Sequence, residues 1–117
     1  RGIIGLFKAF QRKPMESALA FYMICLLIIF GYCSLAYNRY EVGVNPGLHS
    51  FGDAVWLAFT TLTTIGYGDV HPVTTDGRIV SAILVITGTG FFALLSGEFA
   101  TLLIKAYKNQ SNEANSK

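Results

Sequence analysis

Two long stretches of the chain carry no formal charge, and a shorter apolar stretch lies between them. From Ser17 to Asn38 there are 22 uncharged residues, bracketed by Glu16 and Arg39 and built around Leu26-Leu27-Ile28-Ile29-Phe30. About 20 helical residues cross the roughly 30 Å hydrocarbon layer of a bilayer, whereas a secretory signal has an apolar core of only about 7–15 residues. The run therefore predicts a retained membrane-crossing helix over 15–38. A second uncharged run, Ile79–Gly97, resumes past Glu98 as Phe99–Ile104 before Lys105, and predicts a longer crossing over 77–106.

The 14 residues Ser50–Thr63 read as helical but span only roughly 20 Å, too short to cross. Ser50 followed by Asp53 has the form of a helix N-cap, and Pro46-Gly47 upstream is turn chemistry. A short helix over 50–63 is expected to dip into the membrane. The backbone leaving it must return as irregular chain, which lipid tolerates only where it is buried in protein or lines water. The returning segment is thus expected to line a pore. Before the first crossing, Ile3, Leu6, Phe7 and Phe10 repeat at helical spacing opposite Lys8, Gln11 and Arg12 until Pro14, predicting an interfacial helix over 1–14. Residues 107–117 are polar without an apolar face and read as an unstructured tail or a linker to a further domain.

Composition sharpens this picture. Of 117 residues, 52% are hydrophobic and 14% charged, and mean hydropathy is +0.47, so the apolar surface is expected to sit in lipid rather than in a core of the chain's own. A net charge of +2 gives no nucleic-acid surface. Seven of the nine basic residues (Arg1, Lys8, Arg12, Lys13, Lys105, Lys108, Lys117) flank one side of the crossings and only Arg39 and Arg78 the other, which predicts both termini in the cytoplasm. Glu41, Asp53, Asp69 and Asp76 would then make the outer face mildly acidic and concentrate cations there. Cys25 and Cys33, eight residues apart on one helix, cannot pair. His49 and His71 read as surface histidines rather than metal ligands, and no nucleophile, base and orienting group assemble into a catalytic set. The chain opens on Arg1 instead of Met, as processing or excision from a longer protein would leave it.

The returning segment, Thr63-Thr64-Ile65-Gly66-Tyr67-Gly68-Asp69, resembles the selectivity filter of potassium channels, and the resemblance extends over roughly Glu16 to Lys105. It implies an all-α membrane protein: two transmembrane helices, a re-entrant pore helix and filter 64–68, four identical chains around one axis, and no cofactor beyond the permeating K⁺. The carbonyls of Thr64, Ile65, Gly66 and Tyr67, with the Thr64 hydroxyl, would replace the hydration shell of K⁺. Gly66 and Gly68 permit backbone dihedrals that a Cβ would oppose, so successive carbonyls can point one way. Each chain supplies one oxygen per ring, hence the homotetramer. The implied function is passive, K⁺-selective conduction in a cell membrane, gated at the inner helices. A nonselective cation pore, a potassium-transporter subunit and a channel-modifying subunit are the competing readings.

Other roles follow by position. Trp56 matches a residue that braces the filter from behind by contacting Tyr67 or Asp69 of the same or a neighbouring chain, and Thr63 and Asp69 are expected to support the filter with it; an interfacial tryptophan is the alternative. Thr60 and Leu57 stand where many bacterial relatives carry an acidic residue and a second tryptophan, so Asp69 lacks its usual carboxyl partner and slower filter inactivation is expected. Gly88 matches the hinge of the inner helix; bending and close packing compete as reasons for the three glycines, and the hinge is expected at Gly88 and packing at Gly90 and Gly97. Phe92, Ser96, Gly97 and Ala100 are expected to line the inner cavity and Ile104 to narrow its mouth, unless the phenylalanines are core or lipid-facing. Glu98 either forms an acidic ring near the inner mouth, or snorkels to the cytoplasmic surface, or pairs with Lys105 across a subunit boundary. The first helix resembles a slide helix, and equally the linker from a voltage sensor; a cytosolic gating or voltage-sensing domain would lie outside these residues.

Overall fold

A computed structural model gives the fold; it describes residues 2–12 and 14–117, the side chains of 6, 9–12 and 14–16 excepted. The chain forms α1 (Gly2–Arg12), α2 (Pro14–Tyr40), α3 (Phe51–Leu62) and α4 (Thr75–Asn115), and no strand occurs among the described residues. Pro14 opens α2, where a missing N–H costs nothing because the first turn has no partner for it. The side chains of Leu6, Phe10, Gln11 and Arg12, and residues Arg1 and Lys13, on which the interfacial stripe partly rests, lie outside the described residues. Ile3, Ile4 and Phe7 of α1 are exposed.

Two helices among the described residues are long and apolar enough to cross a membrane, Ser17–Tyr40 within α2 and the whole of α4. α2 is apolar all round, as a lipid-facing helix must be. One stripe of it, Leu26, Cys33, Ser34 and Tyr37, is buried against the rest of the chain. Polar ties fix that contact: the Tyr22 hydroxyl donates to the Thr87 carbonyl at 2.9 Å, and Tyr37 shares a 2.6 Å hydrogen bond with Ser81. Tyr22 also stacks on Phe91, with centroids 6.0 Å apart.

α3 wedges between α2 and α4, burying Ala54, Leu57, Ala58, Thr60 and Leu62. Ser50 caps it as the sequence predicts. The Ser50 side chain accepts from the Asp53 N–H, and Asp53 in turn accepts from the backbone of Ser50 and His49, at 2.9 Å each.

Two expectations need correction. The polar segment 107–117 is helical to Asn115 rather than unstructured. Extending a helix already nucleated fixes only one more residue per hydrogen bond, and Lys, Gln, Glu and Ala cost little there. Glu41, expected on an acidic outer face, is fully buried at 0% exposure. It closes the join between the end of α2 and the start of α4.

Candidate functional site

The C-terminus of α3 delivers the chain into the segment 64–68. Thr63 caps the helix: its N–H and its hydroxyl both donate to the Phe59 carbonyl, at 3.0 and 2.8 Å. The Thr64 N–H reaches the Thr61 carbonyl at 3.1 Å and the Gly66 N–H the Thr60 carbonyl at 3.2 Å, so the helix end holds the first half of the segment. Beyond it the backbone alternates in hand. Thr64, Gly66 and Gly68 have φ of +60°, +57° and +80°, every second residue of the string. Glycine adopts such angles freely, but a β-branched threonine at φ +60° is strained by roughly 1–3 kcal/mol. The glycine pattern foretells two of the three positions; nothing in the residue type of Thr64 does.

Trp56 sits behind this segment. Its indole lies parallel to the Tyr67 ring, 7° between planes and 5.8 Å between centroids, and its Nε1–H donates to Asp69 Oδ2 at 2.9 Å. Both partners named by position are therefore met within one chain. The Thr60 hydroxyl is turned back to the Leu57 carbonyl at 3.2 Å.

Behind the outer end of the segment lies a network that sequence reasoning missed. Glu41 accepts from Asn45 Nδ2 (2.7 Å), the Val73 N–H (3.0 Å), the Thr74 N–H (2.9 Å) and the Thr74 hydroxyl (2.6 Å). Asn45 donates also to the His71 carbonyl at 2.7 Å. The loop returning from segment 64–68 is thus bound to the end of α2. Burial pushes the Glu41 carboxyl up, but the donated hydrogen bonds outweigh it and hold its pKa below the ordinary glutamate value. Gly77 is required opposite, because a Cβ there would overlap the carboxylate.

Comparison with known proteins decides what this arrangement is. An ion-channel family description matches residues 17–105. The chain belongs to the ion-channel family. It is 39% identical over 82 residues to human potassium voltage-gated channel subfamily KQT member 4, covering 70% of this chain and 12% of that protein. To mouse potassium voltage-gated channel subfamily A member 6 it is 33% identical over 94 residues, covering 80% and 18%. The chain thus spans less than a fifth of the curated relatives it matches. Among solved structures, a voltage-gated K⁺ channel pore module in a closed state in lipid membranes aligns with a TM-score of 0.67 at 25% identity, over 75% of this chain and 92% of that one. A second such pore domain gives 0.64 at 26% identity. The fold is that of a potassium-channel pore module, a family of channels rather than enzymes.

The inner helix of this ion channel departs from expectation at its glycines. A Cβ on Gly88 would overlap the Leu62 carbonyl at the end of α3, and one on Gly90 would stand 2.8 Å from the Tyr22 hydroxyl, whereas nothing lies within 4 Å of one on Gly97. Within the single chain, close packing thus holds at Gly90, as expected, and also at Gly88, the expected hinge, while Gly97 meets no neighbour. Glu98 lines, with Gly90, Leu94, Gly97 and Thr101, a cavity of about 870 Å³ between α4 and the start of α2 at Ala18 and Leu19. Leu84, Phe91 and Glu98 recur every seven residues; the first two are buried, and Phe91 stacks on Tyr22 of α2. The carboxylate is therefore on the α2 side, and Gly97 shares that cavity wall. Phe92, Ser96, Ala100 and Ile104 follow another side of α4 and are exposed in the single chain.

Proposed function

We propose that four copies of this chain surround one axis and conduct K⁺ passively and selectively across a cell membrane, with both termini in the cytoplasm. The carbonyls of Thr64, Ile65, Gly66 and Tyr67 and the Thr64 hydroxyl hold the ion, and Gly68 turns the chain outward. Trp56, Thr63 and Asp69 support the filter. Phe92, Ser96, Ala100 and Ile104 line the inner passage, and α4 opens and closes it by moving about Gly88. The observation that carries this reading is the alternation of backbone hand at Thr64, Gly66 and Gly68 in a string anchored on a short buried helix. Such alternation lets successive carbonyls face one direction, where four chains together make stacked oxygen rings.

The test is the reversal potential of the reconstituted chain under opposed K⁺ and Na⁺ gradients. A value near the K⁺ equilibrium potential is expected, and Gly66→Ala should abolish the current, because a Cβ at φ +57° is strained. Current reversing near zero would replace K⁺ selectivity by nonselective cation conduction.

A further inference from the structure

At the filter end of the bundle, α2 and α4 form a groove of about 360 Å³, within the range of small-molecule sites. Its chemistry is ordered by depth. Arg39, Tyr40 and Asp76 line one end, where the membrane-crossing part of α2 stops at Tyr40. One turn farther into the membrane on each helix stand Leu35 and Ala36 of α2, and Ile79 and Val80 of α4. The Glu41–Thr74 hydrogen bonds set this juxtaposition, since Arg39 precedes Glu41 by two residues and Asp76 follows Thr74 by two. Both charged side chains are exposed.

A cation and an anion side by side above an apolar wall fit an amphiphile with the same three parts in the opposite signs. We propose that the groove binds a zwitterionic aminophospholipid. The Arg39 guanidinium takes the phosphate through paired N–H donors, and the Asp76 carboxylate accepts from the primary ammonium. An acyl chain runs down Leu35, Ala36 and Ile79, and Tyr40 sits at headgroup depth, where tyrosine is favoured. A phosphatidylcholine would lose the hydrogen bonds to Asp76, because its quaternary ammonium has no N–H. A phosphatidylglycerol would keep Arg39 but meet the Asp76 charge without a counterpart.

The purified full chain is offered phosphatidylethanolamine, phosphatidylcholine and phosphatidylglycerol with identical acyl chains, and the retained lipids are counted by native mass spectrometry. This readout involves no current, so its failure is separate from failure of the conduction reading. Phosphatidylethanolamine should be retained several-fold over the other two. Asp76→Asn should erase that preference and raise phosphatidylglycerol, Arg39→Gln should lower retention of all phospholipids, and Arg39→Lys should restore part of it with unchanged oligomer mass. Three outcomes would overturn the proposal: equal retention of the three lipids, a wild-type preference for phosphatidylglycerol, or no retained lipid with Arg39→Gln changing the oligomer mass. The last would show the groove covered by a neighbouring copy.

Discussion

Glu41 illustrates how one side chain can hold a loop in place through charge. Its folded pKa lies below its ordinary value, so the stabilisation it brings is complete at neutral pH and is lost as pH falls through the folded value. Glu41→Gln puts an amide NH2 in place of one carboxylate oxygen, facing either the Val73 N–H and Asn45 or the Thr74 N–H, and should cost on the order of 3 kcal/mol at pH 7. Thermal unfolding of wild type and variant from neutral to strongly acidic pH checks this. The gap between the two midpoints should narrow in acid; a constant gap would mean that charge plays no part. Trp56 makes a different contribution, in which stacking and hydrogen bonding are separable. Trp56→Phe keeps a ring against Tyr67 and removes the N–H that reaches Asp69. Because the Thr60 hydroxyl is committed to its own helix, Asp69 gains no replacement from it. Current through the variant should therefore decay still more slowly during sustained activation than in the wild type, because Asp69 loses a further partner; faster decay would contradict this.

Between helices, the glycines of α4 separate close approach from local freedom. Gly88→Ala drives a methyl into a backbone carbonyl that cannot rotate away, and overpacking of that kind costs about 1–3 kcal/mol. Gly97→Ala meets open space in the chain and gains about 1 kcal/mol of helix propensity. Thermal midpoints of the two variants should thus move in opposite directions. A loss of stability at Gly97 would place a neighbouring chain against it. This contrast also marks the reach of the sequence. The span over α2, the cap at Ser50 and the string 63–69 were legible because each is written in contiguous residues: an uncharged run, a short polar pair, a motif. Which glycine packs was not, because the obstacle at Gly88 is Leu62, 26 residues away. The burial of Glu41 was hidden likewise, since its donors at Val73 and Thr74 lie 32 and 33 residues on. The helical tail escaped notice for another reason: without an apolar stripe it resembles a loop, and its helicity is inherited from the helix before it.

The assembled protein must resolve two deficits that a single chain leaves open. Ile28, Ile86 and Ile104 are 65%, 74% and 67% exposed, more apolar surface than lipid-free water tolerates, so the faces of α2 and α4 require lipid or further copies. The backbone of segment 64–68 is also strained at Thr64, and on the proposed reading a lone strand would offer an unhydrated ion too few oxygens to repay its lost water. Both deficits close together if K⁺ binds only where four strands meet. Ligand that binds the assembled form alone stabilises it by mass action, about 2.7 kcal/mol at a hundredfold excess over the dissociation constant. Replacing K⁺ with choline should therefore lower the temperature at which purified tetramers dissociate, read by light scattering after stepwise heating. Gly66→Ala tetramers should dissociate at one temperature in either salt, because their ion site is gone while the helical contacts remain. If wild-type tetramers were equally indifferent to K⁺, the ion would not be shared between chains, and the strain at Thr64 would need another source of compensation within the fold.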